Sequence, residues 1–278
     1  MSAFLEIMFW PFLACLVLTG IHAYLGFHVI ERQVIFVDLA LAQIAALGAS
    51  IGIIFNYHFD SPQSYWLSLG FTVVGAFIFS VTRFELKNQA NSKQSIPQEA
   101  IIGITFAVSA ALLVLVLSRS GEGDEHIRQA LVGNILLVTP GEVMKILIIY
   151  ILIGALHFLL RDKFFLISQN PQEAFAKGLN VKFWDFLFYV SFGFVVTSSV
   201  KIAGVLLVFS FLVVPPVCAM LFSSDLRTRL ALGWIVGFLA SVLGMTVSYY
   251  LDFPTGASVV CTFGVIFSVL AAVRKCFN

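Results

Sequence analysis

Apolar residues run along this chain in long, nearly unbroken stretches, not in the alternating or one-face patterns of half-buried strands and surface helices. They fall at about 7–28, 34–55, 65–82, 99–118, 142–160, 183–200, 202–222, 230–251 and 255–273. Each approaches the roughly 20 residues that a helix needs to cross the hydrocarbon of a bilayer. In lipid every backbone polar group must be bonded within its own segment, so the pattern predicts an all-α, polytopic integral membrane helix bundle with 8–9 transmembrane helices. The last four stretches are closely spaced, and one can be re-entrant or broken, hence the range. Pro215 and Pro216 lie inside the seventh stretch, and since neither donates a backbone hydrogen bond they are expected to kink or end it.

Composition agrees with this class. The chain is 60% apolar and only 11% charged, with a mean hydropathy of +0.99, far outside the range of soluble domains. The net charge of +1 and the lack of any Lys/Arg-rich stripe argue against nucleic acid as a partner. No Lys or Arg precedes the first apolar run, and that run is too long for a cleaved signal. Cys15, Cys218, Cys261 and Cys276 are scattered and read as small buried apolar residues, not as disulfides or a zinc site.

The basic residues give an orientation. With the N-terminus outside, Arg32, Arg83, Lys87, Lys93, Arg161, Lys163, Lys177, Lys182, Arg227, Arg229, Arg274 and Lys275 face the cytoplasm, leaving only Arg119, Arg128, Lys145 and Lys201 on the other side. The expectation is a multi-pass protein of a bacterial inner membrane with a cytoplasmic C-terminus. The connection around 83–100 is polar and reads as a cytoplasmic loop. The outside connection carries Glu122, Asp124, Glu125 and His126, either a solvated loop or an ion-attracting docking surface. Gly48 with Gly52, and Gly233 with Gly237, form GxxxG pairs that let helix backbones approach closely.

After the fifth stretch, the segment "RDKFFLISQNPQEAFAKGLNVKFW" contains a complete short-helix signal. Asn170 is a good N-cap, Pro171 suits the first helical position, Glu173 stands where it can close a capping box, and Gly178 supplies a left-handed stop. The helix is expected over about 171–177 on the cytoplasmic face. Two turns are not stable alone in water. It is therefore either a connector lying against the membrane or a helix that docks into a partner's groove, presenting Ala174 and Phe175.

"NPQEAFAKGL" resembles the cytoplasmic coupling segment of permease subunits of the zinc/manganese/iron ABC-importer family. "ALVGNILLVTPGEV", "KIAGVLLVFSFLVVPPVCAMLF" and "GMTVSYYLDFPTGASVV" resemble further stretches of that family in the same order, so that the likeness covers most of residues 30–262. The resemblance implies that residues 1–278 form a single transmembrane permease domain with a coupling helix near 170–178, in which Asn170, Pro171, Glu173, Ala174 and Gly178 serve ATPase coupling. It implies a cytoplasmic ABC ATPase subunit, an extracytoplasmic metal-binding protein and a second permease copy, as a homodimer or with a close paralogue. It implies transport of a divalent metal ion, no cofactor bound in this chain, and ATP on the partner subunit. The chain has no GxxxxGK[ST], so ATP hydrolysis is expected on a separate chain and no enzyme activity in this one.

Asp38 and Gln43 sit in "FVDLALAQIAALG", an apolar stretch where an ionisable residue is expensive and is a functional candidate by default. In the resembling family this helix usually reads D-x-x-S-H-x-x-x-P-G, with the acid and histidine linked to the metal pathway. Aligned on Gly48, Gln43 stands in the place of the histidine, Leu47 in that of the proline, and Asp38 one residue early. A spacing of five puts Asp38 and Gln43 about 140° apart around the helix, and an amide is a poor zinc ligand beside imidazole. Three readings follow: both residues line the transport pathway, with Asp38 as a metal contact; they are interhelical hydrogen-bond partners; or Asp38 pairs near the cytoplasmic edge with a neighbour such as Arg32. His22 and His28, on the first stretch, can face Asp38, and His22 is the further pathway candidate. His157 reads as bonded to a neighbouring helix, and Asp252 as fixing a turn before Pro254.

Other function classes compete. An intramembrane enzyme is disfavoured by the absence of HExxH and GxSxG. An ion-coupled secondary transporter without an ATPase partner is the alternative, but it has no use for a capped cytoplasmic helix and no internal repeat supports it.

Overall fold

The computed structural model describes residues 2–58, 61–88, 96–118 and 133–277. The acidic segment with Glu122, Asp124, Glu125 and His126, and residues 89–95 of the polar connection, lie outside them. Among the described residues the chain is all-helical. The helices are α1 Ser2–Glu31, α2 Val37–Ile54, α3 Pro62–Asn88, α4 Gln98–Leu117, α5 Pro140–Leu159, α6 Arg161–Gln169, α7 Pro171–Ala176, α8 Val181–Met220, α9 Leu226–Leu251 and α10 Thr255–Phe277, with a 3₁₀ turn at Ile135–Leu137. Eight of them, α1 to α5 and α8 to α10, are long and apolar enough to cross a membrane.

The chain divides into two compact units, each assembled from separate parts of the sequence: residues 1–27, 128–151 and 199–278 in one, 28–127 and 152–198 in the other. In the second unit α2 packs on α3 and α4. Its small residues are the reason. A Cβ on Gly48 would fall 2.8 Å from the Leu67 carbonyl oxygen and one on Gly52 2.5 Å from Ser64 Oγ, so Gly48 brings the α2 backbone against that of α3 and Gly52 makes room for the Ser64 side chain. α2 is largely buried, whereas α4 exposes Leu112, Val114 and Leu115, as expected of a lipid-facing helix.

In the first unit α9 packs on α10, which also meets the 3₁₀ turn. Local chemistry sets the boundaries. Thr139 and Glu142 close a reciprocal capping box at the start of α5: the Thr139 N–H donates to Glu142 Oε2 at 2.9 Å and the Glu142 N–H to Thr139 Oγ1 at 3.3 Å. Asp225 caps α9, accepting from the Thr228 N–H at 2.9 Å, and that bond holds its carboxyl below the usual value. Asp252 ends α9 in the left-handed region. Cys15 and Cys218 are buried, but Cys261 and Cys276 lie exposed on α10.

The stretches expected at 183–200 and 202–222 belong to one element, α8, of 40 residues. Unbroken, it would be about 60 Å long, twice the hydrocarbon thickness. It is interrupted at Gly204, with φ 74° and ψ 161°. The chain around Gly133 lies against this break: a Cβ on Gly133 would fall 2.3 Å from Gly204 N, and the Asn134 N–H donates to the Ile202 carbonyl at 3.3 Å. The helix does not end at Pro215-Pro216; both prolines lie inside the helical run, which continues to Met220. Pro216 has no N–H to offer the Leu212 carbonyl four residues earlier. α1 fills that opening: a Cβ on Gly26 would fall only 1.9 Å from the Leu212 oxygen.

Candidate functional site

Asp38 occupies the second position of α2 and is fully buried. Among the described residues neither of its carboxylate oxygens has a hydrogen-bond partner. It does not pair with Arg32, which engages Asp185 instead. An unsatisfied acid in apolar surroundings costs several kcal/mol on the scales that apply to buried charge. Gln43, on the same helix, is buried as well, and their spacing places the two on different faces. His22, in the other compact unit, is held by its own surroundings. Its Nδ1–H donates to the Leu18 carbonyl at 2.8 Å, Ser199 Oγ lies 3.4 Å from Nε2, and the ring meets Tyr150 edge-on with centroids 6.0 Å apart. Among the described residues no three His, Cys, Asp or Glu side chains are grouped to enclose a metal ion.

The second predicted element is built as its sequence requires. Asn170 Oδ1 accepts the Glu173 N–H at 3.1 Å, with Pro171 in the first helical position. Glu173 does not reach back to the Asn170 N–H, which donates to the Leu166 carbonyl; it accepts from the Asn170 side-chain amide at 3.2 Å. Lys177 lies 2.7 Å from Glu173, and this contact holds the Glu173 carboxyl below its usual value. At the other end Gly178 has φ 78°. Its N–H donates to the Phe175 carbonyl at 2.9 Å and the Leu179 N–H to the Ala174 carbonyl at 3.0 Å, the paired bonds of a Schellman stop. The helix ends at Ala176, one residue earlier than expected. Phe175 is exposed, but Ala174 is not available to a partner as expected: it is fully buried against Ile167 of α6 and Val181 of α8. Ala174 is thus the foot of α7 and Phe175 lies on its exposed face.

Beneath this platform lies a charged network that sequence reasoning missed. Arg32 and Asp185, both fully buried, are 2.5 Å apart. Arg32 Nε donates to Ser168 Oγ at 2.8 Å, and Ser168 Oγ lies 2.9 Å from His28 Nδ1. The guanidinium stacks over Phe188 at 3.9 Å. His157, on α5, bonds Ser191 Oγ of α8 at 2.8 Å and stacks on Phe164. The signal in the sequence was Asp185, an acid within the first turn or so of an apolar stretch, which the neighbouring Lys182 makes look like a membrane-surface residue.

The sequence model of the ABC 3 transport family matches residues 4–274. The chain is 28% identical over 206 residues to the manganese transport system membrane protein MntC of Listeria monocytogenes, covering 74% of this chain and 73% of that one. It is 26% identical, over 74% of its length and 69% of the relative's, to the chelated iron transport system membrane protein YfeD of Yersinia pestis. Its fold is similar to that of PsaBC from Streptococcus pneumoniae, solved in complex with Fab, with a TM-score of 0.77 at 20% identity over 97% of this chain and 94% of that one.

Proposed function

This chain belongs to the ABC 3 transport family, and on that premise we propose that it is the permease subunit of an ATP-driven importer of a divalent transition metal: manganese, iron or zinc. The buried, unpartnered carboxylate of Asp38 carries this reading. In apolar surroundings a bare acid is best satisfied by a cation passing through, and oxygen donors suit manganese and ferrous iron. Gln43 and His22 are the further pathway residues. The whole chain acts as one permease domain, paired with a second permease copy and served by an extracytoplasmic metal-binding protein.

ATP is hydrolysed on a separate ATPase chain, against which α7 docks. Asn170, Pro171, Glu173 and Gly178 hold α7 in shape, Ala174 seats it, and Phe175 faces the partner. The excess of Lys and Arg on the side of α7 supports a cytoplasmic position for α7 and the C-terminus, with the N-terminus outside. That arrangement needs an odd number of crossings, which counting the two halves of α8 separately provides.

The test is uptake of radiolabelled manganese, iron and zinc into vesicles containing the permease, its ATPase and its binding protein. Asp38→Asn is expected to abolish uptake of the metal that wild type carries. Undiminished uptake by this variant removes Asp38 from the pathway.

A further inference from the structure

We propose that Arg32 is a positioning residue that ties the movement of α7 to the start of α2, so that ATP hydrolysis is coupled to transport through a single buried guanidinium. The proposal rests on the reading of the chain as an ATP-driven permease. The connection can be followed contact by contact within one compact unit. α7 stands on Ala174, which is packed between Ile167 and Val181. The residue after Ile167 is Ser168, which receives the Arg32 Nε–H. One helical turn beyond Val181 is Asp185, which receives Arg32 Nη1. The two helices that seat α7 are therefore both held by the fork of one side chain from the end of the α1 segment.

From Arg32 to α2 the chain is short and stiff. The Arg32 N–H donates to the His28 carbonyl at 3.0 Å, the Gln33 N–H to Ile30 at 2.9 Å, the Val34 N–H to Val29 at 3.1 Å, and the Val37 N–H to Val34 at 3.1 Å. Asp38 follows directly. A corner bonded this closely moves as one piece, so a shift of the α6–α8 platform carries through Arg32 to the carboxylate that the permease reading places on the metal path.

The chemistry of the link also favours a coupling role over mere stability. A buried ion pair is often no more stabilising than an apolar pair of the same volume. A guanidinium, however, presents several donors in a rigid fork and can hold a hydroxyl and a carboxylate on different helices at fixed geometry. Lysine has a single nitrogen on a flexible stem and cannot reproduce both contacts. Phe188 beneath the guanidinium plane fixes its orientation further.

The experiment uses vesicles holding the complete complex of permease, ATPase and binding protein. It measures imported manganese, with iron as a second probe, against ATP hydrolysed in the same vesicles. The variants are Arg32→Lys, which keeps the buried charge, and Arg32→Met with Asp185→Leu, which removes both charges together. Metal imported per ATP is expected to fall at least tenfold in both, while ATP hydrolysis stays within twofold of wild type. A wild-type ratio in either variant overturns the proposal, and so does a loss of hydrolysis and import in equal proportion, which makes the pair structural. If the double variant does not assemble, Arg32→Lys decides. A wild-type permease that neither imports metal nor stimulates its ATPase removes the permease reading itself, and the role of Arg32 with it.

Discussion

Replacing Gly26 with alanine adds one methyl group at the place where α1 meets the backbone of α8. That carbon would lie 1.9 Å from the Leu212 carbonyl oxygen and 2.9 Å from Pro216 Cγ. Carbon–oxygen contacts between helices settle near 3.3 Å, so the helices must part locally by about 1.4 Å. A side chain could swing aside, but the main obstacle here is backbone. Overpacking costs about 1–3 kcal/mol, and the upper end is expected for an obstacle that cannot rotate away. Gly20 on the same helix supplies the control, since a Cβ there meets nothing within 4 Å. Alanine gains up to about 1 kcal/mol of helix propensity at either position of α1, so the two variants should differ by the overpacking cost alone, about 3 kcal/mol. Thermal unfolding of the purified permease in detergent measures the difference. Gly20→Ala should melt at or above wild type, and Gly26→Ala, at a net cost of about 2 kcal/mol, lower by about 4–8 °C. Equal melting of the two refutes the backbone contact and, with it, the account of how α8 tolerates Pro216.

Three further outcomes concern α7. A Cβ on Gly178 would meet nothing within 4 Å, so the cost of Gly178→Val comes chiefly from the left-handed backbone, about 1–2 kcal/mol; stimulation of the ATPase should be lost, and Gly178→Asn should keep much of it. Phe175→Ala should leave the melting temperature within about 0.5 kcal/mol of wild type in stability and yet reduce the ATPase that co-purifies. Ala174→Leu, in contrast, should cost about 1–3 kcal/mol by lifting α7 from Ile167 and Val181, read as faster hydrogen exchange at 171–176.

The parts of this molecule governed by local chemistry were the parts legible in the sequence. α7 was readable almost to the residue because an Asn–Pro start and a glycine stop are complete within a few positions. The GxxxG pair of α2 was readable because small residues have few other uses on a helix that must pack closely. The break in α8 was not: two adjacent prolines are the stronger local signal, but whether a helix ends there depends on what covers the freed carbonyl, and Gly26 comes from nearly two hundred residues away. Gly204 offered the weaker signal and is where the helix gives way, because the chain at Gly133 lies against it. Asp185 was passed over for a related reason. Its partner Arg32 is 153 positions distant, and an acid near the end of an apolar stretch looks solvated until the fold buries it. Asp38 was legible as an anomaly, and its lack of a hydrogen-bond partner among the described residues is what the fold adds.

The dimensions of α7 limit what can be done with it outside this chain. Six residues closed by caps at both ends make a shape, not a folding unit. Their conformation is lent by Ile167, Val181, Leu179 and Trp184 around Ala174. A synthetic peptide of these residues would be a poor mimic of the docked form, and a chimaera that exchanged only 170–178 between permeases would transplant the letters without the surface. The portable module is larger: it begins in α6, ends in the first turns of α8, and includes the residue at 32 that keeps those two helices in register.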